Sequence, residues 1–434
     1  MSTEVIGLLG IGALLLLIML RAPIGLALIF VGLGGTWAMH GWRTVEFIGA
    51  SSPVHVLTSS TLSVLPLFLL MGNLAVQTGM AKALYRAANA FIGHYPGGLA
   101  AGTILASGGF GAICGSSLAT VTTVTRISVP EMLRYGYSPQ LAAGSVGAGG
   151  TLGILIPPSL LMIIYAYLTE TSVGRLFAAG IVPGLIAISL YCAAIFIWVR
   201  LRPGDGPAQA RSGRVEKWAA LRAVSGIGLA FVIIMGGIFG GFFSPTEGAG
   251  VGAVAVGAIA AFSRTLGWKE LFVALRDSAY VSAMIFLMLI GIEFFQYFME
   301  ASRLPEAIVV FFTGLDAPPF VVLLMLIGLL VILGCFMDSI AIVLIMTPFL
   351  YPIVQDLGYD LIWFGIVMVM VVEIGLMTPP FGINVFVINA MNPEIRLGQA
   401  FTGVMPFIAA DVVRVALLIS LPVLTLWLPG LLFN

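Results

Sequence analysis

Apolar runs long enough to cross a bilayer follow one another along almost the whole chain, separated by short breaks rich in glycine, proline or charge. Such runs cover residues 5–20, 24–39, 62–77, 176–199, 227–243, 248–262, 278–298, 320–336, 362–372 and onward, and 401–428. A spanning helix needs about 20 mainly apolar residues, so the pattern predicts an all-α polytopic membrane protein with about 11 transmembrane helices. Several other apolar stretches are too interrupted to be plain spans, and their interruptions hold most of the information.

The longest polar stretch, residues 200–222, lies near the middle of the chain. It carries Arg200, Arg202, Arg211, Arg214, Lys217 and Arg222 together with the helix breakers Pro203, Gly204, Gly206 and Pro207. The positive-inside tendency places it in the cytoplasm. It divides the chain into a first half, residues 1–199, a basic linker, 200–222, and a second half, 223–434.

Sliding the chain by 222 residues aligns the two halves without a gap. Ser117 meets Ser339, Pro130 meets Pro352, Gly136-Tyr137 meets Gly358-Tyr359, Gly153 meets Gly375, and Pro157-Pro158 meets Pro379-Pro380. Ten of the 42 positions from 117 to 158 are identical, and five of those are proline or glycine. Similarity between unrelated apolar segments matches Leu and Val, not breaks. Two repeats joined by a cytoplasmic linker is the plan of many secondary transporters, whose halves are often inverted in the membrane. Two inverted repeats are therefore expected here.

In each half a small-residue segment precedes a Gly-x-x-x-Pro-Pro segment by about 40 residues: 108–117 with 153–158, and 334–339 with 375–380. Proline removes a backbone donor and frees carbonyl oxygens, and at membrane depth such backbone is tolerated where it is buried in protein or lines a cavity. Freed carbonyls suit a hard cation, so each half is expected to carry one sodium site built from its small-residue segment and its Pro-Pro break. The alternative is a pair of kinked helices satisfied by neighbouring Ser and Thr, which recurrence at one offset disfavours.

Composition narrows the class further. Sixty per cent of the residues are hydrophobic and 9% charged, with zero net charge, which excludes a basic nucleic-acid surface. The cysteines Cys114, Cys192 and Cys335 and the histidines His40, His55 and His94 show no metal or redox spacing, and no nucleotide-binding or hydrolase motif occurs. The chain is read as a non-enzyme without an organic cofactor. An acidic N-terminus, Met-Ser-Thr-Glu, leads into the first apolar run, which is read as a retained helix.

Isolated polar residues in apolar surroundings supply the remaining candidates. Asp338 is the strongest, because a carboxylate within a span is costly and usually faces a cavity. Asn384, one turn after Pro380, either holds a substrate carboxylate or ties down the broken backbone. Glu293 and Glu373 are read as caps of scaffold contacts, Asp411 and Arg414 as a local pair three residues apart, and Glu247 after Ser244-Pro245-Thr246 as a helix-start acid.

The Gly-Ser-Ser segment at 115–117, Gly-Ile-Leu-Ile-Pro-Pro-Ser at 153–159, Ser-Pro-Thr-Glu-Gly-Ala at 244–249, Phe-Met-Asp-Ser at 336–339 and Met-Thr-Pro-Pro-Phe-Gly-Ile-Asn at 377–384 together resemble the large membrane subunit of tripartite ATP-independent periplasmic (TRAP) transporters. The resemblance runs through the whole chain, with the five motifs in order. It implies a multi-pass bacterial inner-membrane subunit with two re-entrant helical hairpins, working by an elevator movement and taking up an acidic solute with sodium. Its implied partners are a small four-helix membrane subunit and a periplasmic binding protein. Carried over by motif, the first sodium site uses Cys114, Gly115, Ser116, Gly153, Ile156 and Pro158, and the second uses Asp338, Ser339, Gly375, Thr378 and Pro380. Ser117, Pro157, Asp338 and Asn384 are the implied substrate contacts. Cys114 stands where a serine is common in the family, which points to its carbonyl rather than its side chain. A sodium-coupled carboxylate carrier working without a binding protein shares this plan and is the nearest alternative.

Overall fold

The Pro, Gly and Ser breaks divide the apolar chain into helices that follow the repeat. The computed structural model describes residues 2–314 and 317–433, and these are helical with short connections. The first half contains α1 (Thr3–Met19), α2 (Ile24–His40), α3 (Trp42–Thr58), α4 (Val64–Gln77), α5 (Met80–Ile92), α6 (Gly98–Cys114), α7 (Ser117–Arg134), α8 (Pro139–Leu155), α9 (Leu160–Thr169) and α10 (Val173–Leu201). The second contains α11 (Arg214–Phe239), α12 (Pro245–Phe262), α13 (Trp268–Ser302), α14 (Leu304–Gly314), α15 (Pro319–Gly334), α16 (Ser339–Asp356), α17 (Leu361–Met377), α18 (Ile383–Met391), α19 (Leu397–Ser420) and α20 (Val423–Leu432).

The 222-residue offset maps α7 onto α16 and α8 onto α17 residue for residue at both ends (117 + 222 = 339, 134 + 222 = 356; 139 + 222 = 361, 155 + 222 = 377). The same caps recur at equivalent positions. Ser116 accepts the Ala119 N–H at the start of α7, and Asp338 accepts the Ile340 N–H at the start of α16. Such caps satisfy donors that a helix start leaves unpaired. Ser244 and Glu247 form a reciprocal capping box at α12, as expected from their spacing.

Among the described residues, six helices are long and apolar enough to cross a membrane, or up to eight if each of two bent pairs counts as a span: α4 with α5, bent by 64°, and α8 with α9, bent by 41°. Six further helices are apolar but shorter. Large apolar side chains such as Leu8, Phe30, Phe47, Val232, Val254 and Tyr280 are exposed on α1–α3 and α11–α13, as lipid contact requires. By contrast every residue of α8 from Leu141 to Leu155, and of α17 from Trp363 to Met377, is buried. These two helices form the centre of the molecule.

The halves interlock reciprocally. The short helix after each Pro-Pro break packs on the other half: α9 on α16, and α18 on α7. Likewise α8 packs on α19 and α17 on α10, while α13 packs on α2 and α12 on α4.

Two sequence expectations change. The apolar run 401–428 is not one helix, because Pro422 cannot donate a backbone hydrogen bond and the chain breaks at Leu421–Pro422 between α19 and α20. The polar stretch 200–222 is largely helical at its end, since α11 begins at Arg214. Only residues 202–213 connect α10 with α11, and they are fixed in place. Gly97 donates to the Gly206 carbonyl (2.9 Å), Ser138 to the Asp205 carbonyl (3.0 Å) and Gln209 to the Gly93 carbonyl (3.0 Å), while the Trp198 indole donates to Asp205 (2.7 Å).

Candidate functional site

Both Pro-Pro segments end a central helix, and both bonds, Pro157–Pro158 and Pro379–Pro380, are cis. At the first break α6 stops at Cys114, Gly115 turns with φ +63°, and Ser116 starts α7. Opposite it, α8 stops at Leu155, and Ile156, Pro157, Pro158 and Ser159 lead into α9. The two interruptions meet: the Leu160 N–H donates to the Gly115 carbonyl (3.4 Å), and a methyl group at Gly115 would lie 2.8 Å from the Pro158 carbonyl oxygen.

Oxygen atoms gather where these segments face. A methyl at Gly153 would lie 2.5 Å from Thr120 Oγ1 and 2.8 Å from the Ser116 carbonyl, so only glycine leaves room beside them. Thr120 donates to that carbonyl at 2.7 Å. Gly115, Ser116, Gly153 and Pro158 are thus brought together, and carbonyl and hydroxyl oxygens are the donor chemistry that suits a small hard cation. Two candidates lie at the edge. The Cys114 carbonyl abuts α4, where a methyl at Gly72 would come within 2.9 Å of it, and the Ile156 side chain packs between Gly108 of α6 and Gly184 of α10. Thr120 lay outside the sequence motifs, though its spacing of four from Ser116 is the signature of a hydroxyl returning to a helix carbonyl.

The second break uses the same plan with longer connections. Residues 335–338 separate α15 from α16, and 378–382 separate α17 from α18. Gly334 and Gly375 cross so closely that a methyl at Gly375 would lie 2.4 Å from the Gly334 Cα, making this a backbone contact rather than an oxygen cradle. The nearby oxygens are the Val372 carbonyl, 3.0 Å from a methyl placed on Gly334, and the Met377 carbonyl, 3.1 Å from one on Gly382. Thr378 donates to the Ile374 carbonyl at 2.6 Å. Ser339 is buried at the start of α16, whereas Thr378 is half-buried and Pro380 exposed. Asp338 is exposed as well, at the turn between α15 and α16, where its carboxylate caps α16.

Between the breaks, Asn384 of α18 donates its Nδ2 to Ser117 Oγ of α7 at 3.1 Å, with both residues buried. This joins two substrate-site candidates that are 267 residues apart. Its amide thus reaches across to the other half. Pro157 is buried on the first-break side.

Two polar sites prove more connected than the sequence indicated, and a third is more deeply buried. Glu293 of α13 accepts from the Tyr167 hydroxyl of α9 (2.7 Å) and pairs with His55 of α3 (3.2 Å). Asp411 and Arg414 form the expected local pair at 2.8 Å, but Tyr191 of α10 also donates to Asp411, at 2.7 and 2.8 Å. Glu373 is fully buried on α17 rather than at a scaffold contact.

A family described as "Tripartite ATP-independent periplasmic transporter, DctM component" matches residues 11–424. The C4-dicarboxylate TRAP transporter large permease protein DctM of Pseudomonas aeruginosa is 39% identical over 373 residues, covering 85% of this chain and 86% of that protein. The sialic acid TRAP transporter large permease protein SiaM of Vibrio cholerae is 31% identical over 414 residues, covering 94% and 95%. Among solved structures, the Alcanivorax borkumensis YdaH transporter, described as having an unusual topology, shares the fold with a TM-score of 0.58 at 15% identity, covering 90% of this chain and 89% of that one.

Proposed function

Because this chain belongs to the family of DctM components of tripartite ATP-independent periplasmic transporters, and so is a multi-pass inner-membrane large permease, we propose that it takes up an acidic solute coupled to sodium at its two helix breaks. The observation that carries this reading is the Asn384–Ser117 bond, which sets a neutral polar pair between two breaks related by one 222-residue offset. In this reading the first sodium is held by oxygens around Gly115, Ser116, Gly153 and Pro158, with Thr120. The second is held near Thr378 and Gly375, with Asp338 and Ser339 at the neighbouring helix start.

The charge balance explains the coupling. An acidic solute held between the breaks brings negative charge to membrane depth, where an unpaired charge costs several kcal/mol, and the Asp338 carboxylate at the exposed start of α16 adds to it. Two sodium ions offset that cost, so loaded and empty states are favoured over half-loaded ones. The relatives named for C4-dicarboxylate and sialic acid support a carboxylate as solute. The interlocked central helices then move as a unit against α1–α5 and α11–α14 in an elevator step, which would have to break the Tyr167–Glu293 bond. A small membrane subunit binds the static helices, and a periplasmic binding protein delivers the solute.

The test is uptake by proteoliposomes holding this chain with its small membrane subunit, with and without added binding protein. Uptake is expected to require the binding protein and a sodium gradient. At limiting sodium, Asp338→Ala, Ser116→Val and Thr378→Val should each lower it by about tenfold or more, the equivalent of ~1.4 kcal/mol. Asp338→Asn, which preserves the helix cap, isolates the carboxylate charge. Parental uptake in all these variants would refute the ion sites, and uptake by this chain alone would refute the tripartite reading.

A further inference from the structure

Five fully buried polar residues meet where the two halves join: Thr151 on α8, Tyr191 on α10, Glu373 on α17, and Asp411 and Arg414 on α19. The Tyr191 hydroxyl donates to the Asp411 carboxylate and lies 3.1 Å from Thr151 Oγ1. Arg414 pairs with Asp411 at 2.8 Å and lies over the Tyr191 ring at 5.8 Å. Glu373 is fully buried on α17, which packs against the α19 helix that carries Asp411 and Arg414. Among the described residues, neither the Glu373 carboxylate oxygens nor Arg414 Nε, Nη1 and Nη2 have a hydrogen-bond partner, so the Asp411–Arg414 contact is an ion pair.

The positions matter as much as the contacts. Thr151 and Glu373 are separated by the repeat offset (373 − 151 = 222), so they are the same site in the two halves. Each precedes by two residues the glycine that packs at its break, Gly153 or Gly375. Thr151 reaches the Asp411–Arg414 pair through Tyr191, and Glu373 brings an unpartnered buried carboxylate on α17 against α19, which carries that pair. Removing either partner of a buried pair is strongly destabilising. A shift of α8 therefore reaches Arg414 through Thr151, Tyr191 and Asp411, and a shift of α17 reaches it through Glu373.

We propose that this cluster couples the two helix breaks, with Thr151, Tyr191, Asp411, Arg414 and Glu373 as positioning residues that make the arrangement at one break depend on the other. The proposal deepens the function above and rests on that reading for its consequence, cooperative ion loading, but not for its geometry. A contiguous network earns such a role only through measured coupling.

Hydrogen-exchange mass spectrometry on the complete protein with its membrane partner measures it, by following residues 153–160 and 375–383 with and without sodium. Thr151→Val, which removes one hydroxyl at nearly constant shape, is expected to speed exchange at the distant 375–383 segment by about threefold or more. In a Glu373→Gln background the same substitution should leave 375–383 unchanged. Tyr191→Phe should act as Thr151→Val does, and it replaces Glu373→Gln as the decisive variant if that protein does not assemble. Effects confined to the mutated half, or effects that simply add, would overturn the proposal. If sodium slows exchange at neither break in the parent, the ion-site reading fails, while the Thr151→Val result still decides the coupling.

Discussion

At the first helix break Pro157, Pro158 and Ser159 are all buried, whereas at the second Pro379, Pro380 and Phe381 are all exposed. Identical punctuation sits in different surroundings. The first break has a two-residue turn, Gly115–Ser116, tied across by the Leu160 to Gly115 hydrogen bond. The second has four residues at the equivalent place, and its tips meet through the Phe336 and Phe381 rings, 5.3 Å apart and 60% and 52% exposed. A backbone bond between buried segments holds one geometry. A ring pair at a surface leaves more freedom, since such pairs contribute only about 0.5–1.5 kcal/mol beyond burial. Two repeats of one sequence plan therefore sit in unlike surroundings within one molecule, one break enclosed and the other at a surface.

Substitutions at the two turns should separate the breaks most sharply. Gly115 has φ +63°, and a methyl there would press on the Pro158 carbonyl, so Gly115→Ala is expected to cost about 1–3 kcal/mol in unfolding measurements. Gly382 has φ +22° and nearest neighbours at 3.1 Å, so Gly382→Ala should cost less. Equal losses would mean that the breaks are equally rigid.

Asn384→Ala leaves the buried Ser117 hydroxyl without its partner, at a cost of about 1–3 kcal/mol. If the pair lies at the solute site, uptake should fall more than thermal stability does, and a parallel fall in both would assign it to packing.

Exposure gives the next contrast. With Cys114, Cys192 and Cys335 replaced by alanine, Phe381→Cys should react with a soluble maleimide faster than Ser159→Cys by about tenfold or more, which an opening cost of only ~1.4 kcal/mol would produce. Comparable rates would show that the first break opens as readily as the second. The smallest effect is expected from Phe336→Ala, about 1 kcal/mol or less in stability, with 375–383 as the only segment whose hydrogen exchange speeds up.

Much of this arrangement was legible in the sequence because helix punctuation is local. Pro-Pro pairs and glycines act within about four residues, so their recurrence at one offset predicted the breaks before α7 and after α8, and before α16 and after α17. Partners across the fold carry no such signature. Nothing near Thr151 announces Tyr191, and nothing near Asn384 announces Ser117, because those pairings exist only once α8 meets α10 and α18 crosses to α7. Asp338 shows the opposite limit: its apolar neighbours suggested a carboxylate within a span, yet the chain turns there and leaves it exposed at the start of α16. Apolar length alone likewise ran through Leu421–Pro422, where one proline divides α19 from α20.

The crossed seating of α9 on α16 and of α18 on α7 bears on how such a chain can be divided or can have arisen. Neither half alone covers the whole of the short helix that follows its own break, so a fragment ending in residues 202–213 would present the face that meets the other half to lipid or to another copy. Nicked at that connection, the two pieces remain clasped by each other's arms. A single-repeat ancestor with this seating would have been an obligate pair exchanging those arms, and joining two copies end to end made the exchange internal to one polypeptide.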